Sequence, residues 1–128
     1  MSLNFSKHFI QALPNDPESG RNVRQVKAAI VARIDPEPLL NPSLIAWSAE
    51  TASLLHLPEG GDADPALRDV LAGNVLGQGS IPYATVYGGH QFGHWAGQLG
   101  DGRAINLGEV GKYTLQLKGS GRTPFSRH

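Results

Sequence analysis

The pattern of apolar and polar positions changes character near residue 80. Before it, apolar residues come in small groups cut by turn formers. Phe5, Phe9, Ile10 and Leu13 precede Pro14, Asp16, Pro17 and Gly20, which reads as an arm, residues 1 to 22, that docks on a body formed elsewhere. From Val26 to Ile34 two periods compete. Val26, Ala29, Ile30 and Arg33 share a helical face, whereas Ile30, Ala32 and Ile34 alternate as in a strand. Asp35-Pro36-Glu37-Pro38 follows at once and favours the strand. Beyond the short apolar run Pro42 to Trp47, Ser48 can cap a helix from Ala49 to Leu55, with Glu50 near its positive end and Leu57-Pro58 as the stop. The next helix is better marked. Asp64 stands at the N-cap, Pro65 at the first helical position, Leu67, Val70 and Leu71 on one face, and Gly73 beyond the last turn at Ala72.

After Ile81 the period shortens to two. Tyr83 to Tyr87, Arg103 to Val110 and Lys112 to Lys118 read as strands separated by glycines, with Gly111-Lys112 able to close a tight hairpin. In the last run Tyr113, Leu115 and Leu117 share one face, and Thr114, Gln116 and Lys118 the other, because strand side chains alternate. The predicted fold is therefore α+β: an N-terminal mixed α/β segment, residues 1 to 80, and a Gly-rich antiparallel β-meander, residues 81 to 128.

Composition sharpens this picture. One residue in eight is glycine, 16 of 128, and thirteen of them lie between Gly73 and Gly121. Average usage is about 7%, so the surplus belongs to the β-rich part. Eleven basic residues balance eleven acidic ones, which argues against non-specific binding to nucleic acid or to an anionic membrane. With no cysteine there is no disulfide framework and no thiolate zinc site, so the reducing cytoplasm is the default compartment. The longest apolar run, Ala28 to Ala32, has five residues, far short of the ~20 that span a bilayer. The length allows one domain at most.

Four constellations could carry chemistry. The first is Gly100-Asp101-Gly102-Arg103, followed by strand, turn, strand and Lys118. Glycines at a turn let backbone N–H groups approach a phosphate, Arg103 can fork two donors onto its oxygens, and Lys118 adds a charge held by a β ladder. That is the order of parts in a protein-kinase N-lobe; a plain hairpin with a surface lysine has the same spacing. The second is His90 and His94, a metal pair by spacing, but set among glycines with no third ligand, so hydrogen-bonded structural histidines are favoured. The third is Tyr83, Tyr87, Phe92 and Trp95, able to stack bases but expected in the core, because basic residues are not interleaved with them. The fourth is Gly119-Ser120-Gly121, whose amides could form an anion nest assisted by Arg122 and Arg127, or could simply begin a mobile terminus.

The segments Tyr87 to Gly93, Trp95 to Ala104, Leu107-Gly108-Glu109 and Leu115 to Arg127 together resemble the N-terminal part of the selenoprotein O (SelO) family. The resemblance is collinear over residues 36 to 128 and looser before. It implies a protein-kinase-like fold that transfers AMP from ATP to Ser, Thr or Tyr hydroxyls of proteins, with ATP flipped so that its α-phosphate faces the acceptor. By the same resemblance Gly100, Gly102, Arg103 and Lys118 contact the nucleotide. The hairpin before Lys118 is a few residues shorter than in many members. The family pattern continues past His128 with the Glu partner of the lysine and a C-lobe holding the catalytic Asp and the magnesium ligands. Residues 81 to 128 are then expected to be a partial N-lobe, with no catalytic residue and no metal ligand in this chain, which is expected to be an inactive fragment by itself. The reading from another class is a non-catalytic nucleotide- or protein-binding module.

Overall fold

The computed structural model describes residues 3–127. It is α+β, as the patterning predicts, with an antiparallel sheet of five strands. In chain order the elements are α1 (His8–Ala12), β1 (Val31–Arg33), α2 (Ala49–Leu54), a 3-10 turn (Gly61–Ala63), α3 (Pro65–Leu71), β2 (Tyr83–Gln91), β3 (His94–Gly100), β4 (Ala104–Val110) and β5 (Tyr113–Lys118). The long strand β2 organises the sheet. Its first residues pair with β1 on one edge, Ala32 opposite Ala84, and with β4 on the other, Tyr83 opposite Asn106. Its remainder pairs with β3, and β5 closes the outer side of β4 with Ile105 opposite Leu117. Asp101 N–H donates to the Thr85 carbonyl at 3.0 Å, so β3 and β4 follow one another along the same edge of β2. The residues between them, Asp101 to Arg103, form the excursion that joins the two ladders.

The helices form where the caps were legible. Ser48 Oγ accepts the Thr51 N–H at 3.2 Å, and Asp64 Oδ1 accepts the Ala66 N–H at 3.0 Å. Both helices stop one residue before the expected end; Leu55 and Ala72 act as C-caps. α3 lays Leu67 and Val70 against Leu3, Phe5 and Leu107, with Leu115 and Leu117 of β5 packed on the same cluster. A buried side chain such as Leu67 stabilises by about 1.5–3 kcal/mol through burial.

The arm docks as expected. Phe5 N–H donates to the Gln78 carbonyl and Ser6 N–H to the Glu109 carbonyl, both at 2.8 Å. Ile10 packs with Val31 and Tyr83, and the Phe9 ring stacks on Tyr83 with centroids 5.3 Å apart. The short helix α1 within the arm was not signalled, since no side chain caps it. Of the ambiguous segment 26 to 34, only Val31–Arg33 pairs as a strand; Ala28 has φ 55 and breaks any longer run.

Two expectations are corrected. β3 was not foreseen, and β2 runs four residues further than Tyr87. Residues 94 to 100 lack apolar alternation, and none of them is buried. Phe92-Gly93 makes its two-residue turn with φ 52 and 80, the sign pattern of a type I′ turn. The aromatic set is also not a core set. Tyr83 is buried, but Tyr87, Phe92 and Trp95 are exposed on this hairpin, Phe92 almost completely.

Candidate functional site

The excursion between β3 and β4 is built from its own sequence. Ala104 N–H donates to the Asp101 carbonyl at 3.0 Å, which closes a four-residue turn with Gly102 and Arg103 at its centre. Gly102 has φ +65 while Arg103 does not enter the left-handed region, the sign pattern of a type II′ turn, and a Cβ added at Gly102 would meet no atom within 4 Å. Asp101 is structural. Its Oδ2 accepts the Thr85 N–H at 2.7 Å and the Asn106 amide at 3.0 Å, and the Gln116 amide donates to Asn106 Oδ1 at 3.0 Å. The carboxylate stands in for a carbonyl where the ladder is interrupted.

The C-terminal segment holds the turn from the other side. Thr123 Oγ1 and Ser126 Oγ both donate to the Gly102 carbonyl, the latter at 2.9 Å, and Gly119 N–H donates to the Arg103 carbonyl at 3.1 Å. Thr123, Pro124 and Ser126 are buried, and Glu37 N–H donates to the Ser120 carbonyl at 2.8 Å. The reading of this stretch as a mobile terminus is therefore overturned: two hydroxyls and a packed proline fix it. Gly119 also spends its N–H on Arg103, so the expected nest at Gly119-Ser120-Gly121 is reduced.

Beside the turn lies an open cavity of about 690 Å³, within the roughly 300–1,000 Å³ range of small-ligand sites. Gly100, Gly102, Arg103 and Arg127 line it, with Tyr87 and Phe125 among its walls. Three of the four residues singled out from the sequence thus meet at one cavity. Lys118 does not line it. It stands exposed on β5 directly across the ladder from Ala104, next to Arg103, on the polar face with Thr114 and Gln116. Arg24 also borders the cavity, but Asp16 at 2.8 Å and Glu18 at 3.4 Å neutralise it. Arg103, Arg127 and Lys118 have no carboxylate partner among the described residues.

Gly100 is a glycine for a reason the sequence did not disclose: a Cβ there would lie 2.4 Å from Phe125 Cγ. Arg127, expected beside the Gly119–Gly121 nest, faces the cavity of Gly102 instead. His90 and His94 take no part in this site. His90 lies edge-on to Trp95, ring centroids 5.2 Å apart, in place of the expected hydrogen-bonded role, and no group of three or more metal-ligating side chains occurs among the described residues. Burial pushes the Tyr83 phenol up to about 12, helped by the negative charges of Glu109 and Asp101. Tyr83 is consequently a neutral core residue and does not line the cavity. No helix among the described residues is long and apolar enough to cross a membrane.

The comparison with known families decides the lineage. The model of the protein adenylyltransferase SelO family matches residues 20–128. The chain belongs to the SelO family. Among curated family relatives, the protein nucleotidyltransferase YdiU of Azoarcus sp. is 53% identical over 98% of this chain and 25% of its own length. That of Aromatoleum aromaticum is 50% identical over 99% and 26%, and that of Nitrosospira multiformis 47% over 96% and 23%. The chain thus spans about a quarter of the length of the relatives it matches.

Proposed function

We propose that these residues form the nucleotide-holding part of a SelO-type enzyme that transfers AMP from ATP to Ser, Thr or Tyr hydroxyls of proteins. The observation that carries this reading is the turn Asp101 to Ala104. Its two central N–H groups, those of Gly102 and Arg103, donate to no acceptor among the described residues, although the Asp101, Gly102 and Arg103 carbonyls of the same turn all accept hydrogen bonds. Paired free amides on a fixed turn, beside an unpaired guanidinium and a cavity of nucleotide size, suit an anionic oxygen cluster. In this reading Gly100, Gly102 and Arg103 meet the phosphates. Lys118, anchored one ladder position from Arg103, supplies a second cation above the same turn.

The kinase-like placement of the lysine, the flipped nucleotide and the choice of hydroxyl acceptors rest on the family resemblance. Magnesium, which that chemistry uses to neutralise phosphate charge, has no ligand set among the described residues. We therefore assign its ligands and the catalytic base to the remaining three quarters of the relatives' length and route no step through them. Positioning and charge neutralisation supply most of the rate in phosphoryl-type chemistry, so the chain by itself is expected to bind nucleotide weakly and to transfer nothing.

Titration of the chain with ATP and with adenosine tests the reading. ATP binds in the millimolar range and adenosine more weakly, and Arg103→Ala lowers ATP affinity by about tenfold, the worth of a charge-assisted contact. Equal affinity of the wild type and Arg103→Ala for ATP contradicts the assignment.

A further inference from the structure

We propose that Thr123 and Ser126 are positioning residues that fix the direction of the Arg103 amide, and so set the phosphate-binding geometry of the turn; this rests on the nucleotide reading above. The peptide unit joining Gly102 to Arg103 is planar and trans, so its C=O and N–H point in opposite directions. The central peptide of a two-residue turn is its least determined part, because rotating it converts one turn type into another at little cost to the flanking residues. Here two hydroxyls from one segment converge on the Gly102 carbonyl. A carbonyl that accepts two hydrogen bonds from buried donors cannot rotate away, and the Arg103 N–H is held facing the other side.

The clamp is itself preorganised. Ser126 Oγ accepts the Thr123 N–H at 2.9 Å, Thr123 Oγ1 accepts the Phe125 N–H at 3.2 Å, and Ser126 N–H donates to the Thr123 carbonyl at 3.1 Å. Thr123 is fully buried and Ser126 is 3% exposed, so water does not compete for the carbonyl. Neither side chain is among the residues lining the cavity. Their effect on a ligand must pass through the peptide they hold. The Thr-Pro-Phe-Ser stretch therefore has a purpose distinct from the nest expected just before it: it orients a donor instead of supplying one.

The test is a titration of the chain with inorganic pyrophosphate, followed by amide proton–nitrogen correlation spectra, in the wild type, Thr123→Val, Ser126→Ala and Thr123→Ser. The Arg103 signal is expected to move in the wild type and, with similar affinity, in Thr123→Ser, which keeps the hydroxyl. In Thr123→Val and Ser126→Ala affinity falls about tenfold, as for a misdirected charge-assisted donor, while the β4 and β5 signals stay in place. Should Thr123→Val fail to fold, Ser126→Ala decides. An Arg103 amide that responds with unchanged affinity in the folded variants overturns the clamp and leaves the nucleotide reading intact. An Arg103 amide that is unmoved in the wild type by both pyrophosphate and ATP overturns both.

Discussion

Gly100 gives the sharpest separation between packing and ligand binding at this turn. An added Cβ would meet Phe125 Cγ at 2.4 Å, Cβ at 2.7 Å and Cδ2 at 2.8 Å, all far inside van der Waals contact. Neither side yields easily. Gly100 is bound into the ladder opposite Val86, and Phe125 is flanked by buried Pro124 and Ser126. Overpacking of this kind costs about 1–3 kcal/mol, and Gly100→Ala is placed near the middle of that range. Changing Phe125 to Ala removes two of the three closest atoms, so the cost of Gly100→Ala should fall by about half in that background. Urea unfolding of the wild type, the two single variants and the double variant measures the difference directly. A coupling of about 1 kcal/mol is expected, as for side chains in contact. Strictly additive costs would refute the steric account and leave close approach to a ligand as the reason for the glycine.

Two further predictions concern the polar groups around the turn. Asp101→Ala leaves the Thr85 N–H without its acceptor and the Asn106 amide with the Tyr83 carbonyl alone and should cost about 1–3 kcal/mol in urea unfolding; Asp101→Asn, which retains an oxygen, should cost less, and equal costs would contradict the bridging role. The Tyr83 phenol, lifted from 10.0 to about 12, stabilises the fold fully below its ordinary value, and this contribution is lost as pH rises through about 12. Tyr83→Phe should therefore unfold with less pH dependence between those values, and ultraviolet tyrosinate titration should lose one step near pH 12.

Much of this arrangement was legible in the sequence because local chemistry sets it. Ser48 and Asp64 cap helices wherever a free N–H follows, and the alternation from Tyr113 to Lys118 survives because one face of β5 meets the core. The turn at Gly102 and Arg103 was legible as a glycine turn between strands, while its assignment to a nucleotide came from the family resemblance, since a plain hairpin has the same spacing. What was not legible depended on partners distant in sequence. β3 carries no periodicity, since its hairpin projects with Phe92 and Trp95 exposed, and the only local sign was the Phe92-Gly93 dipeptide. The meaning of Gly100 lies in Phe125, and that of Thr123 lies in Gly102, 21 residues away. Lys118 was placed correctly on its polar face, yet its distance from the cavity lining could not be read from alternation alone.

In the proposed function the turn at Gly102 and Arg103, with Lys118 beside it, grips the phosphates of ATP for AMP transfer. That role is tested most directly by following label from α-labelled ATP into protein, using a family protein of full length that carries these residues, as wild type and as Lys118→Ala and Arg103→Ala. Labelling by the wild type is expected, with a loss of about a hundredfold or more in each variant, as when preorganised charge is removed from a reacting phosphate, and with folding preserved. Undiminished labelling by both variants would contradict it.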